Sequence, residues 1–254
     1  MDKEQAQLLS SVKNTLRILR SFKMEQPQKG VRELAAELGI GKSSVQRILA
    51  TLASEGFVRK NEESNKYELG ASLLELSSIV LNNIDLHNEA YPFIKRLAEK
   101  CNETAHIAVL ENLEVMYLCK VEGEQTEKIS SYSGLHNYPH CTSSGKLLLA
   151  YSDTTVIEAI LEKGLTPFTP YTITDHVQFR KELAGIYERK YAVSRDELTM
   201  GISSVSAPIR DYTGKVVAAI NFVGPSQRFT IQRIQYLAEE LLLTGKIISE
   251  RLGY

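Results

Sequence analysis

The sequence predicts an α+β protein with a small helical head and a larger mixed body, and three observations support this prediction. Residues 10–54 contain three apolar stripes at helical spacing, and a short polar hairpin follows them. Residues 70–84 are apolar on almost every side, which is typical of a buried connecting helix. From Leu86 onward, helical patterns alternate with strand-like runs, which favours a mostly antiparallel sheet covered by helices.

The composition limits the classes of protein to be considered. The chain has 254 residues, of which 43% are hydrophobic and 24% charged, as in a globular protein of one or two domains. It has no run of about 18 apolar residues, so we expect no membrane span. Residues 1–14 lack the apolar stretch of a secretory signal. We therefore expect a cytoplasmic protein whose odd number of cysteines are reduced core thiols: Cys101, Cys119 and Cys141.

The charge is distributed unevenly along the chain. Residues 1–70 contain 12 Lys and Arg against 9 Asp and Glu, a net charge of +3. The remainder has a net charge of −4, although the whole chain is close to neutral at −1. A mildly basic head on an acidic body indicates that the head meets a polyanion.

The head has the elements of a winged helix-turn-helix in chain order. The first helix lies within residues 10–25 and has an apolar stripe: Val12, Leu16, Leu19 and Phe22. A short helix follows over Val31–Leu38, and Gly39 suits the tight turn after it. The third helix covers roughly Lys42–Ser54, and two short strands then flank a polar turn at Glu62–Asn65.

The third helix has two different faces. Its apolar side repeats at helical spacing: Val45, Ile48, Leu49 and Leu52. At 100° per residue, the opposite side collects small and polar residues: Ser43, Gln46, Arg47 and Ala50. Small residues allow a close approach to a groove, while Gln and Arg side chains reach base edges. We therefore expect a helix-turn-helix over residues 31–50 whose third helix enters the major groove of DNA.

Phosphate contacts are expected at the edges of this surface. The N terminus of the third helix presents free N–H groups with Lys42 beside them, and the wing carries further cations. The alternative, a solvated helix of a small helical domain, is weaker because the short helix, the Gly39 turn and the wing accompany it. The predicted DNA-contacting residues are Lys42, Ser43, Ser44, Gln46, Arg47, Thr51, Arg59, Lys60 and Lys66.

Residues 71–85 predict a helix that joins the head, residues 1–70, to the body, residues 86–254. It has too many apolar side chains for a single buried face: Leu73, Leu74, Leu76, Ile79, Val80, Leu81 and Ile84. A helix that is apolar on most sides must be covered, and a second subunit is the simplest cover.

The body is predicted to be a sandwich of sheet and helices. Its expected elements are a helix over 86–100, strands at Thr104–Leu110, Glu114–Lys120 and near Glu127–Tyr132, a helix starting in "CTSSGKLLLAY", helices near 154–162 and 176–190, strands at Ile202–Pro208 and Val216–Val223, and a last helix over 231–252. We expect this last helix to pack closely on the sheet, because Ala238 and Gly245 lie in its apolar seam.

The segment "PHCTSSGK" allows more than one interpretation. Thr142 or Ser143 can cap the following helix and leave N–H groups near hydroxyls, an arrangement that suits a carboxylate. An ordinary capped helix that binds nothing is the alternative.

Ser143 and Lys146 have the S-x-x-K spacing of a serine nucleophile and its lysine, but the companion motifs are absent, so we expect no enzyme. His136, His140 and Cys141 fit no metal pattern, and we predict exposed loop histidines with no metal or cofactor.

The order of these segments resembles the IclR-type bacterial transcriptional regulators over almost the whole chain. The residues that carry the resemblance are "ELAAELGIGKSSVQRILATLASEGFV" and "KYELG" in the head, and "PHCTSSGKLLLA", "SRDELTMGISSVSAPIRDYTGKVVAAINFVGP" and "ISERLGY" in the body. A ligand sensor that does not bind DNA is the weaker alternative, because the head has both a wing and a recognition helix.

The resemblance implies a GAF-like body that binds a small effector, commonly an organic or aromatic acid. It also implies a homodimer or homotetramer on a palindromic double-stranded operator, and a repressor more often than an activator. The effector residues that it implies are Ser143, Ser144, Ser194, Asp196, Ser204, Asn221 and Val223. Gly41 stands where Pro is common in the family, and Ser204 and Asn221 differ from the Cys and Ser of some members. The effector of a relative therefore cannot be transferred.

Overall fold

The computed structural model describes residues 9–82, 85–123 and 129–254. The chain forms two compact units, residues 1–83 and residues 84–254. Both are α+β, as the sequence predicts, and each has its own apolar core.

The first unit contains a three-helix core and a two-stranded wing. Its elements are α1 (Ser10–Ser21), α2 (Val31–Leu38), α3 (Lys42–Ser54), β1 (Val58–Lys60), β2 (Tyr67–Leu69) and α4 (Ser72–Asn82). The antiparallel wing places Arg59 of β1 opposite Glu68 of β2. Gly39 ends α2 in the left-handed conformation, with φ of 65°, so the turn before α3 forms where the sequence predicts it.

The predicted first helix is present as α1, but only part of its apolar stripe is buried. Val12 and Leu16 are about half exposed, whereas Ile18 is fully buried. Only the C-terminal half of α1 reaches the core of this unit, where Leu19 and Phe22 are partly buried. Helical spacing marked an apolar side of the helix, but the packing of α1 decides how much of that side is covered.

The connecting helix is present as α4. Leu74, Leu76 and Ile79 are 71%, 49% and 58% exposed. The side chains of Val80, Leu81 and Ile84 belong to the same prediction but lie outside the part of the chain that the structure describes.

The second unit is a six-stranded sheet with helices on both faces. Its elements are α5 (Asp85–Cys101), β3 (Thr104–Glu111), β4 (Glu114–Val121), β5 (His136–Asn137), α6 (Ser143–Ala150), α7 (Thr154–Lys163), α8 (His176–Arg189), β6 (Ala192–Arg195), β7 (Ile202–Arg210), β8 (Val216–Pro225) and α9 (Ile231–Arg251). The strand order is β5-β4-β3-β8-β7-β6, and neighbouring strands are antiparallel.

The two faces of the sheet differ in chemistry. One face carries apolar residues such as Ile107, Ala207 and Ile220, which form the main core with α5 and α9. The expected close packing of α9 is confirmed: a Cβ on Gly245 would lie 2.6 Å from the Pro208 carbonyl oxygen. Alternate residues point to the opposite face, which α6 covers. None of the helices in the described ranges combines the length and apolar character needed to cross a bilayer.

The strand predicted near Glu127–Tyr132 is wrong in its described part. Residues 129–132 contain no strand, and residues 127 and 128 lie outside the described ranges. The Lys120 ammonium donates to the carbonyls of Ile129 and Ser131, at 2.9 and 2.8 Å. These bonds occupy backbone oxygens that a strand would use, and β4 pairs with the short β5 instead.

The prediction of exposed loop histidines is wrong for His140. Its side chain is buried in a 3₁₀ turn at Pro139–Cys141, and its Nε2 lies 2.9 Å from the Thr166 carbonyl oxygen. His136 is exposed, as predicted, but it lies on β5, with Nδ1 3.2 Å from Glu114. The three cysteines are free and buried, and burial raises the pKa of the Cys141 thiol to about 12.

Candidate DNA-binding and effector sites

The face of α3 that the sequence assigns to DNA is exposed. We call Ser43, Gln46, Arg47 and Ala50 the recognition face, and all four side chains are open to solvent. Val45, Leu49 and Leu52 on the other side of the helix are buried in the core of the head. The core therefore fixes the rotation of α3 about its axis and leaves the recognition face pointing outward.

A cleft of about 400 Å³ borders the recognition face. Ser44, Arg47, Ile48 and Thr51 of α3 line one wall, and α1 supplies the other: Ser10, Ser11, Asn14 and Thr15. Hydroxyl and amide groups of this kind commonly bind DNA phosphates. The contribution of α1 is absent from the sequence prediction, although the polar run "SSVKNT" at the start of this helix was a signal for it.

The first turn of α3 is open to an anion. Its N-cap residue is Gly41, so no side chain caps this helix within the described head. The first N–H groups of a helix have no partner within the helix, and they carry a partial positive charge. Lys42 and Ser43 begin the helix at this point and are exposed.

Two of the three predicted wing cations already contact carboxylates. Arg59 pairs with Glu68 across the two wing strands. Lys66 lies 2.9 Å from Glu33 of α2. A backbone hydrogen bond from Gly30, and then Lys66, lower the pKa of Glu33. Each cation in these pairs keeps contact with solvent, and such ion pairs are weak, so these cations can exchange their carboxylates for phosphates.

In the body, polar residues occupy the face of the sheet beneath α6. Two rows cross neighbouring strands: His106 lies opposite Asn221, which lies opposite Ser206, and Thr104, Val223, Ser204 and Ser194 form the next row. We call the polar members of these rows the polar floor: Thr104, His106, Ser194, Ser204, Ser206 and Asn221. All are buried except Ser204, which is partly exposed.

The N terminus of α6 lies over this floor. Thr142 caps the helix by accepting from the Gly145 N–H at 3.2 Å. Ser194 donates to the Cys141 carbonyl at 2.9 Å, which ties the start of α6 to β6. Ser143 and Ser144 are almost completely buried. A Cβ on Gly145 would overlap the backbone of Pro139, so only glycine allows α6 to approach the preceding turn this closely.

The floor and the helix above it contain polar atoms that have no hydrogen bond of normal geometry. Among the described residues, six such buried atoms are Thr104 Oγ1, His106 Nδ1, Ser143 Oγ, Ser144 Oγ, Ser206 Oγ and Asn221 Oδ1. Each unpaired buried polar group costs about 1–3 kcal/mol, and native proteins contain few of them. Ser144 Oγ still interacts with the Tyr117 hydroxyl, an interaction that lowers the pKa of Tyr117 against the effect of its burial. The cluster therefore marks a place where ordered water or a polar ligand can supply the remaining hydrogen bonds.

His106 is a neutral group in the centre of this site. Its ring stacks on Tyr117, with centroids 4.4 Å apart, and its Nε2 lies 2.8 Å from Ser131 Oγ. Burial, and then the charge of Lys120, lower the pKa of His106 to about 3. The imidazole is therefore uncharged near neutral pH and offers one donor and one acceptor.

Lys146 is held by carboxylates. Its ammonium, almost fully buried, lies 2.6 Å from Glu197 and 3.6 Å from Glu182. Burial raises the pKa of Glu197, and the charge of Lys146 opposes that shift. The S-x-x-K spacing thus places Lys146 in a buried ion pair rather than as a base for Ser143.

Asp196 has a different position from the other residues that the resemblance implies. It follows β6 with φ of 59°, and its Oδ1 accepts from the Gly201 N–H and the Ser226 hydroxyl, both at 2.7 Å. These bonds hold the 196–201 turn. The structure brings the others together at the polar floor and the start of α6: Ser143, Ser144, Ser194, Ser204, Asn221 and Val223.

The sequence prediction missed three floor residues. Thr104 and His106 alternate with apolar residues in "TAHIA", and Ser206 continues the alternation of Ser204 in "SSVSA". Polar residues at every second position of an otherwise apolar strand were the available signal.

Two family models match the chain. The IclR helix-turn-helix domain matches residues 11–62, and the C-terminal model of the bacterial transcriptional regulator IclR matches residues 78–250. The transcriptional regulator KdgR of Escherichia coli (strain K12) is 30% identical, over 99% of this chain and 95% of KdgR. The transcriptional repressor AllR of the same strain is 27% identical, over 93% of this chain and 88% of AllR.

Solved structures agree with these matches. The crystal structure of an IclR transcriptional regulator from Alicyclobacillus acidocaldarius superposes with a TM-score of 0.87. The two proteins are 26% identical, and the alignment covers 97% of this chain and 100% of that one.

Proposed function

Because this chain belongs to the IclR family of bacterial transcriptional regulators, we propose that it is a cytoplasmic repressor whose binding to a palindromic operator is controlled by a small organic acid. The observation that carries the effector part is the cluster of six buried polar atoms without a hydrogen bond of normal geometry, four on the polar floor and two at the start of α6. The name of the relative AllR, a transcriptional repressor, supports the sign of regulation.

The recognition face supports major-groove binding. Gln46 and Arg47 contact base edges, because their side chains are exposed on a helix whose other outward residues are short. The remaining proposed contacts are to phosphates: Lys42, Ser43, Ser44, Thr51, Arg59, Lys60 and Lys66.

A palindromic operator requires two heads. In this class of protein the two recognition helices enter successive major grooves about 34–36 Å apart. Three apolar side chains at the start of α1 are exposed at helical spacing: Leu9, Val12 and Leu16, which are 70%, 51% and 49% exposed. An exposed apolar strip of this kind supports contact with a second subunit, in a homodimer or a dimer of dimers.

The effector carboxylate binds at the start of α6. Ser143 and Ser144 supply backbone N–H groups at a helix N terminus together with buried hydroxyls, and this arrangement suits a carboxylate. The resemblance adds Ser194, Asp196, Ser204, Asn221 and Val223, with Asp196 acting through the turn that it holds. To change operator affinity, the effector must bind one conformation of the protein more tightly than another.

Selection and sequencing of the genomic fragments that the purified chain retains tests the DNA-binding part. On the selected operator, Arg47→Ala is expected to cost about 1–3 kcal/mol and to relax discrimination at one base pair. Affinity should also fall steeply with salt, because phosphate contacts release counterions. Lys246→Ala, which removes an exposed cation from α9, is the matched control and should leave binding unchanged. Unchanged selective binding by Arg47→Ala would refute this assignment of the recognition face.

A reporter strain carrying the selected operator tests the effector part. Ser144→Leu and Ser204→Leu place a bulkier side chain between the start of α6 and the sheet, so we expect normal operator affinity with loss of the metabolic response. Thr213→Ala serves as the control, since its hydroxyl contacts Asp211 in the exposed turn between β7 and β8. A variant that loses operator binding but keeps its response would contradict the proposed site.

A further inference from the structure

We propose that the effector is a hydroxy acid whose hydroxyl group binds a second subsite, the row of His106, Asn221 and Ser206. This inference rests on the proposed function, since it assumes that an organic acid binds beneath α6. It adds two residues to the site, His106 and Ser206, and narrows the class of the ligand.

The row is one continuous surface. His106 of β3 lies directly opposite Asn221 of β8, which lies directly opposite Ser206 of β7. Directly opposite residues have Cβ atoms about 4.5–5.5 Å apart, so the row measures roughly 10 Å. All three residues are at most 2% exposed, and each has an unpaired polar atom. A group bound here is surrounded by side chains from three strands.

One of the unpaired atoms in this row is an obligate acceptor. Asn221 Oδ1 is a carbonyl oxygen and can only accept a hydrogen bond. An ionised carboxylate can also only accept, so the carboxylate of an acid offers this oxygen no donor. A ligand that brings an O–H group in addition to its carboxylate supplies that donor.

The surroundings favour an uncharged donor. Lys120 of β4 lies directly opposite His106, so the row already faces a cation at this end and a second one beside the imidazole is repelled. The neutral imidazole and the Ser206 hydroxyl both offer a donor or an acceptor. A hydroxyl group matches this set, because it donates to Asn221 Oδ1 and still accepts from a neighbour.

The spacing of the two subsites limits the length of the ligand. The start of α6 is tied to β6 at Ser194, which is in the row that begins at Thr104. Thr104 lies two residues before His106 on the same face of β3, roughly 7 Å along the strand. A compact molecule with the two groups a few bonds apart spans this distance.

Matched pairs of acids test the inference on the full chain. We would measure binding by calorimetry and by thermal shift for 4-hydroxybutyrate against butyrate, 3-hydroxybenzoate against benzoate, and D-gluconate against hexanoate. At least one hydroxy acid is expected to bind, and at least tenfold more tightly than its partner. Asn221→Leu and Ser206→Ala should reduce that ratio to about twofold or less, whereas Thr213→Ala, in the turn between β7 and β8, should keep it.

Three results would overturn the inference: equal affinity within every pair, binding by none of the hydroxy acids, or an unchanged ratio in a folded Ser206→Ala variant. Ser206→Ala is close to isosteric and removes an unpaired hydroxyl, so it keeps the test decisive if Asn221→Leu does not fold. Operator selection and the Arg47→Ala measurement do not depend on these results. Failure of the hydroxyl subsite is therefore distinguishable from failure of the regulator.

Discussion

The recognition face of α3 and the polar floor beneath α6 are built from similar side chains in opposite environments. Ser43, Gln46 and Arg47 are exposed, so water satisfies their polar atoms before DNA arrives. Ser206 and Asn221 are buried and have atoms without partners. The exposed surface can therefore be changed with little effect on folding, whereas a change in the buried one alters the hydrogen bonding and packing of the body.

The same contrast separates two lysine–glutamate pairs. The side chains of Lys66 and Glu33 in the head are 39% and 42% exposed, whereas those of Lys146 and Glu197 in the body are 2% and 8% exposed. Exposed pairs contribute little, while removal of one partner from a buried pair leaves a charge without compensation.

Lys146→Met is expected to have the largest effect on stability. It should lower the free energy of unfolding of the body by about 3–5 kcal/mol, because Glu197 stays buried without its cation. Lys66→Met should change the stability of the head by less than about 1 kcal/mol. Urea denaturation with separate probes for the two units measures both. The double variant Lys146→Met with Glu197→Leu should recover most of the loss, and equal effects of the two single lysine variants would contradict the contrast.

The acid sensitivity of the body should depend on His106. The folded state holds the pKa of His106 at about 3, below its ordinary value of 6.5, so the unfolded chain binds the extra proton between these values. Stability is then fully present above pH 6.5 and falls as the pH drops toward 3, by up to about 1.4 kcal/mol per pH unit.

His106→Phe removes this proton while keeping a ring beside Tyr117. Denaturation at pH 5.5 and 4.5 should show a shallower loss of stability in the variant than in the natural chain. Lys120, which faces His106, and His140 remain in both proteins, so the difference in slope isolates His106. Parallel slopes would mean that His106 is already protonated, or accessible to water, in the folded state.

Ser206→Ala should stabilise the ligand-free protein. It removes a buried hydroxyl that has no hydrogen bond, so we expect the free energy of unfolding to rise by about 1 kcal/mol. Ser203→Ala on the same strand removes a hydroxyl 2.8 Å from Ser226 Oγ and should lower it by a similar amount. If both serine variants lose stability, Ser206 already has a partner in the free protein.

Gln46→Ala should have the smallest effect on folding. Its side chain is exposed and Ala favours helices, so the free energy of unfolding should change by no more than about 0.5 kcal/mol. Operator affinity should nevertheless fall, and competition assays with variant operators would locate the affected base pair. A large loss of stability would show that the recognition face contributes to the fold.

Local signals explain why the head was easier to predict than the body. The bounds of α2 and α3 follow from Gly39 and from one uninterrupted apolar stripe, all within about 25 residues of sequence. The burial of α1 depends on how it packs, which helical spacing does not encode. Residues 129–132 remain outside the sheet because the side chain of Lys120 binds their backbone carbonyls.

The candidate effector site depends on pairing over long distances in sequence. The resemblance supplied Ser204 and Asn221, but Thr104, His106 and Ser206 join them only through the registers of β3, β8 and β7. Alternation within a strand indicates that two faces differ. Alternation does not indicate which strands are neighbours, so the row of His106, Asn221 and Ser206 could not be predicted without the sheet topology.

Gly145 leaves no free space between the start of α6 and the turn that precedes it. The helix backbone at Gly145 packs directly against Pro139. The Ser194 hydroxyl donates to the Cys141 carbonyl, and Lys146 forms an ion pair with Glu197. Movement of the helix toward the turn is sterically blocked, so α6 can approach Pro139 no further unless the turn is displaced as well. Through Ser194 the same helix start is joined to β6, which is an edge strand of the sheet.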